Sequence, residues 1–414
     1  MVFDNKYLSF IFALYQDQMT LKPAFKYTKI AALFFLCLSC NSQDKKHTAS
    51  DVASINMEPI DTVFPVLSDS YINSKKTKIE RFFNKNWPSK NNNVSFLVAK
   101  DGQIIYENYV GFGDIKKKTP ITSETPIHIA SVSKVLTATA ILKLINIGKL
   151  GLDQKVTSIL KGFPYPEITI KNLLSHRSGM RNYAYFTNER GIWDLHKIMS
   201  NQDVLNVMIT KKISLEYKTN TRFGYCNTNY AMLALVIEKV TGKRFSDAMK
   251  TMIFEPLGMT HTFVYDYQKD KNVITPSYRN NGQQIAFDYL DAVYGDKNIF
   301  STPRDLLKFD MARNSDYFLS PELRCQIYKG CSNEHKGQKN YGLGIRMINW
   351  ETGQNFYFHN GWWHGNMSSY VTLQKENVTI IALTNKCSKS VYKVRNLAPL
   401  FGDYPFKVDE SEEE

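Results

Sequence analysis

Apolar and polar positions alternate with strand spacing near both ends of the chain and cluster with helical spacing between them. Residues 94–100 and 103–109 read as two strands joined by Asp101-Gly102, a dipeptide that accepts the left-handed backbone of a tight hairpin. Toward the other end, residues 344–350, 355–359, 368–373 and 378–384 are rich in β-branched and aromatic residues and are bounded by turn residues. The middle, about 130–330, is mostly helical with long loops. Residues 229–240 form an apolar helix closed by Gly242, and Thr302 caps another that has Pro303 at its first position. A helix over 76–87 places Ile79, Phe82 and Phe83 on one side, and a helix over 388–400 closes the chain. Strands from both termini around a helical middle predict an α+β fold. Its antiparallel sheet would be built from both ends and flanked by helices, with a mostly helical lobe inserted.

Residues 135–145 are apolar on nearly all sides, the pattern of a central buried helix that stops near Gly148. At its head stands Ser131-Val132-Ser133-Lys134. A serine and a lysine three residues apart share one helix face, so the amine can take the hydroxyl proton and the serine can attack a carbonyl. A helix N-terminus also favours the negative charge of a developing oxyanion. The spacing alone is cheap: it recurs at Ser42-Lys45, Ser158-Lys161 and Ser390-Lys393. Only Ser131 opens a sustained helical run.

Two triplets follow in order. In Tyr225-Cys226-Asn227, an extended loop would point Tyr225 and Asn227 the same way. A tyrosine near a lysine can act as general base, and an asparagine can hydrogen-bond a substrate amide. Taken alone, Asn227 equally fits a helix cap. In His359-Asn360-Gly361, the glycine allows close backbone approach. The histidine could meet a substrate carboxylate, assist proton transfer, or be a satisfied structural residue. Trp362 and Trp363 read as substrate wall or core. His176 sits at a helix end and reads as structural, while His364 and Cys226 receive no chemical task.

Composition bounds the class. The chain has 414 residues, 43% apolar and 22% charged, which is ordinary for a globular protein. Its net charge is +13, but the lysines are scattered with no basic stripe, which argues against nucleic acid. A basic surface facing an anionic envelope polymer or membrane is the milder reading. Residues 1–40 are expected to hold an export signal. Lys22, Lys26 and Lys29 precede an apolar stretch, 30–38, too short to span a bilayer comfortably. Met19 is an alternative start. Ser39-Cys40 resembles a lipoprotein cleavage site with Cys40 as the lipidated residue, although Cys37 stands where leucine is usual. A polar tether over 41–75, a catalytic domain over 76–402 and an acidic tail over 403–414 complete the expected organisation. The protein would then be exported and lipid-anchored in the cell envelope, facing periplasm or exterior. Cys325 and Cys331 are candidates for a disulfide in such a compartment, and no Cys/His spacing resembles a zinc site.

Together, Ser131-x-x-Lys134, Tyr225-x-Asn227 and His359-x-Gly361 resemble the three motifs of the class C β-lactamase and penicillin-binding-protein-like serine hydrolases. Residues 129–134, 173–180, 255–259 and 341–344 are also similar to family stretches, and the likeness spans about 76–400. The resemblance implies that Ser131 is acylated, that Lys134 and Tyr225 share the proton work, and that Asn227 positions the scissile group. It puts the backbone amides of Ser131 and Trp362 in the oxyanion hole and His359 in the third-motif place, with no metal or cofactor. True β-lactamases of this class usually carry Lys-Thr-Gly where this chain has His-Asn-Gly, which is closer to D-alanyl-D-alanine carboxypeptidases and D-aminopeptidases. Cys226 also replaces a common serine. The expected activity is hydrolysis of an ester or amide through an acyl-serine, with peptidoglycan stem peptides or other D-amino-acid peptides as the leading substrates. A genuine β-lactamase and a catalytically silent binding or scaffold protein are the alternatives.

Overall fold

The computed structural model describes residues 65–89, 91–334 and 337–406. The expected export signal, Cys40 and residues 407–414 lie outside these.

Seven strands form one antiparallel sheet. β1 (Val94–Lys100) and β2 (Gln103–Val110) come from the N-terminal side. After the short strands β3 (Phe112–Asp114), β4 (Thr119–Pro120), β5 (Ile127–His128), β6 (Phe263–Val264) and β7 (Ile299–Ser301), the C-terminal side adds five more. These are β8 (Lys339–Tyr341), β9 (Arg346–Asn349), β10 (Asn355–Trp363), β11 (Asn366–Leu373) and β12 (Val378–Thr384). The order is β2-β1-β12-β11-β10-β9-β8, so β1 pairs with β12 and the sheet is closed from both termini as expected. The hairpin turn falls at Asp101 (φ 49°) and Gly102 (φ 74°), the left-handed pair that this dipeptide tolerates.

Helices cover both faces of the sheet. On one face Phe96 and Val98 pack with Ile79, Phe83, Trp87, Val391, Val394 and Leu397. The intervening Leu97 and Ala99 point to the other face, into a core with Val135, Leu136, Ile141 and Leu233. Burial on both faces explains why β1 runs apolar from Phe96 through Ala99 rather than alternating. The helix Ser133–Asn146 is buried from Ser133 through Leu144, and the helix Asn227–Thr241 packs beside it. Gly242 closes the latter at φ 67° and Thr302 caps the helix Pro303–Arg313, both as expected.

Several elements differ from expectation. The first helix runs Asp69–Asn86, starting within the stretch read as tether, because Ser68 accepts a hydrogen bond from the Tyr71 amide and opens it early. β10 continues to Trp363, four residues past the expected end, because β11 pairs with it throughout. Residues 389–400 form a three-residue-per-turn helix. The small sheets β3-β4 and β5-β7-β6 were not foreseen; they are too short to carry a periodicity. Cys325 and Cys331 are free thiols. No described helix is long and apolar enough to cross a membrane.

Candidate active site

Ser131 lies in a single tight turn, Ala130–Val132, that leads into the helix Ser133–Asn146. Ala130 is held at φ 48°, a left-handed conformation that costs an alanine about 1–2 kcal/mol, so the surrounding structure must enforce it. His128 does part of this: its Nδ1 accepts the Ala130 amide at 3.1 Å. Lys134 follows one turn on. Its Nζ hydrogen-bonds Ser131 Oγ at 3.0 Å and donates to the Asp296 carbonyl at 2.7 Å. Lys134 is completely buried while Ser131 is half-buried, so the hydroxyl faces the opening and the amine lies behind it.

Cys226 is extended (φ −141°, ψ 118°), which sends Tyr225 and Asn227 to one side and the thiol into the core. Tyr225 meets Lys134, whose Nζ lies 5.1 Å from the ring centroid. Asn227 is the first residue of its helix and not the cap, which is Cys226. Its Oδ1 is buried without a partner. His176 braces this loop. Its Nδ1 accepts the Cys226 amide at 3.1 Å and lies 3.0 Å from Asn229 Nδ2, and its ring packs 4.4 Å from Tyr225. Burial, then the charges of Lys134 and Arg346, hold the His176 imidazole well below its ordinary pKa, so it is neutral.

β10 supplies the third wall. Its pairing with β9 ends at Phe358, and from His359 onward that edge runs against the Ser131 turn. A Cβ on Gly361 would lie 2.6 Å from the Ile129 carbonyl oxygen and 2.9 Å from the Ser131 amide nitrogen. Glycine is therefore required here by backbone packing against the nucleophile. His359 is fully buried; its Nδ1–H donates to the Asn360 carbonyl at 2.9 Å and its Nε2 accepts from the Tyr341 hydroxyl at 3.2 Å. Burial and the nearby Arg346 and Lys134 push its pKa well down. Neither ring nitrogen is free to meet a substrate carboxylate; of the roles the sequence left open, the satisfied structural one fits these contacts. The Trp362 side chain is 65% exposed, and it is Trp363 that turns inward, donating to Asp291 at 2.7 Å.

Ser131, Lys134, Tyr225 and Gly361 thus converge from three distant stretches. Arg346, on β9, was not foreseen. Its guanidinium stands 4.5 Å from the Tyr225 ring centroid and 5.9 Å from that of Tyr341, and among the described residues no carboxylate pairs with it. A lone arginine in a strand carries no sequence signal; only the pairing of β9 with β10 brings it here.

A helix-borne serine bonded to a buried lysine, faced by a tyrosine and walled by a sheet edge, defines a serine hydrolase of the β-lactamase and transpeptidase type. The Beta-lactamase family model matches residues 88–398, and the chain belongs to this family. It is 31% identical to "Penicillin-binding protein 4*" of Bacillus subtilis over 342 residues, covering 77% of this chain and 74% of that protein. It is 28% identical to a teichoic acid D-alanine hydrolase of Staphylococcus aureus over 259 residues, 61% of each chain. The octameric penicillin-binding protein homologue of Pyrococcus abyssi shares the fold, with a TM-score of 0.66 at 23% identity over 78% of this chain and 77% of that one.

Proposed function

We propose that this hydrolase cleaves a D-amino-acyl bond in a peptide that ends in a free carboxylate, by way of an acyl enzyme on Ser131. The observation that carries the reading is Arg346: a cation with no carboxylate partner among the described residues, set against the ring of Tyr225, which itself meets Lys134. Neutral His359, with both nitrogens engaged, offers no charge to an anionic substrate, whereas Arg346 does. Ser131 Oγ attacks the carbonyl as its proton passes to Lys134, directly or by way of Tyr225. The unpartnered Asn227 Oδ1 accepts from the substrate amide, and amides at the Ser131 turn and the free edge of β10 receive the oxyanion. The proton then goes to the leaving amine, and water releases the acyl group. The likeness to a penicillin-binding protein and to a teichoic acid D-alanine hydrolase points to D-alanyl substrates of the envelope. An exported protein anchored through Cys40 would meet them there.

The test compares an acylated D-alanyl-D-alanine peptide with its C-terminal amide. A charge-assisted hydrogen bond contributes about 1.5–3 kcal/mol, so Arg346→Gln should lower kcat/KM for the acid about ten- to a hundredfold and leave the amide nearly unchanged. A fluorophosphonate should label Ser131 in both proteins and not in Ser131→Ala. Equal loss on acid and amide would overturn the carboxylate reading. Rapid turnover of a chromogenic cephalosporin with no peptide cleavage would favour a β-lactamase, and absence of label would leave a silent binding protein.

A further inference from the structure

We propose a second site, for a divalent transition-metal ion such as Zn²⁺, formed by Asp288, Asp291 and His364. The two aspartates lie on the loop before β7 and the histidine in the turn between β10 and β11, directly after Trp363. One donor atom from each lies within 4.8 Å of the others. His364 Nε2 sits 3.0 Å from both Asp291 oxygens. One imidazole and two carboxylates form a donor set that suits zinc, with water completing a four-coordinate shell.

The cluster alone would be an ion pair with an extra acid. The cavity beside it says more. Asp291 and His364 line a space of about 30 Å³, more than one water needs, together with Tyr265 and Asn366. Tyr265 is 4% exposed and Asn366 5%, yet Tyr265 Oη and Asn366 Oδ1 have no hydrogen-bond partner. After burial, Asp291 is the foremost cause raising the Tyr265 phenol, which places that hydroxyl in view of the carboxylate. Two orphaned polar groups around a small cavity beside an acid pair are what a hydrated cation would satisfy: they would hydrogen-bond its water ligands.

Charge agrees. Burial and the neighbouring Asp291 push the Asp288 carboxyl up, while, against burial, the His364 imidazole holds the Asp291 carboxyl below its ordinary value. Among the described residues no hydrogen bond or ion pair joins the nearby Lys297 to either carboxylate. Its ammonium is spent on Tyr183 Oη at 2.7 Å and the Val293 carbonyl at 2.9 Å, and lies 3.7 Å from Asp296. The two carboxylates bring two negative charges to one dication. On binding, His364 Nε2 turns its lone pair to the metal, and its proton, where present, leaves to solvent.

The position links the ion to the nucleophile. The Asp291 carbonyl accepts from Asn298 Nδ2 at 2.7 Å, Asn298 Oδ1 meets His128 Nε2 at 3.0 Å, and His128 holds the Ala130 amide. A metal at Asp291 would therefore brace the strained turn that presents Ser131.

Calorimetric titration of chelator-treated full-length protein with Zn²⁺, and separately with Mg²⁺, tests this. One Zn²⁺ per chain should bind and raise Tm, with Mg²⁺ much weaker. Asp288→Asn and His364→Gln should each weaken Zn²⁺ at least about tenfold, while Ser131→Ala binds as the wild type does. A cooperative urea melt of the metal-free proteins reports that the variants are folded. Should His364→Gln fail that check, Asp288→Asn, whose side chain is exposed, decides alone. No Zn²⁺ uptake by the wild type, or unchanged uptake by Asp288→Asn, would overturn the site.

Discussion

At the residue scale, the active site depends on two tolerances that only neighbours reveal. Gly361 has an ordinary place in a strand, yet its missing side chain is what lets β10 approach the Ile129 carbonyl and the Ser131 amide. Gly361→Ala should move that strand away from the nucleophile. We expect fluorophosphonate acylation of Ser131 to slow by about a hundredfold or more while stability falls by about 1–3 kcal/mol, the usual cost of forcing a methyl into packed space. Competition labelling together with a urea melt checks both. Ala130 shows the converse, a residue with a side chain held where glycine is easier. The serine, lysine, tyrosine and asparagine were visible in the sequence because their spacing puts each pair on one face. Arg346 was not, because nothing in its own strand distinguishes a guanidinium that meets a ring from one that meets water.

At the element scale, ends that obey capping chemistry were readable and ends set by packing were not. Thr302 takes the Asp305 amide on its hydroxyl and Pro303 follows at the first helical position, as local sequence dictates. Thr302→Ala should cost about 1 kcal/mol in urea denaturation with acylation of Ser131 unchanged, since the cap lies outside the site. The first helix began before its expected start because Ser68 caps it there, and its opening turns carry only Tyr71 and Ile72 as apolar residues, too few to show a period. The helix after Ser131 begins only at Ser133, with a tighter turn carrying the nucleophile. That turn is held by the side chain of His128, two residues before Ala130 at the end of β5, a local bond that a hydrophobic periodicity cannot register.

At the scale of the molecule, the core encloses three histidines that stay neutral. His128, His176 and His359 are all buried, and burial lowers the pKa of each, His128 to about 4. An unfolded histidine titrates near 6.5, so below that pH the unfolded chain binds more protons than the folded one. Stability is then complete above about pH 6.5 and falls as the medium is acidified toward the folded pKa. For His128 alone the loss approaches about 3 kcal/mol at pH 4. The urea midpoint should therefore drop between pH 7 and pH 5, before most carboxylates titrate, and His128→Gln should flatten that slope. The sequence by itself determined the sheet from both termini, the buried helix and the order of the three motifs, because hydrophobic period and residue spacing are local quantities. The tertiary structure alone decided that Gly361 abuts Ser131, that His359 is spent on Tyr341 and Asn360, and that Arg346 stands against the ring of Tyr225. Each of those depends on strand pairing and packing between residues far apart in the chain, where burial and electrostatic neighbourhood are set.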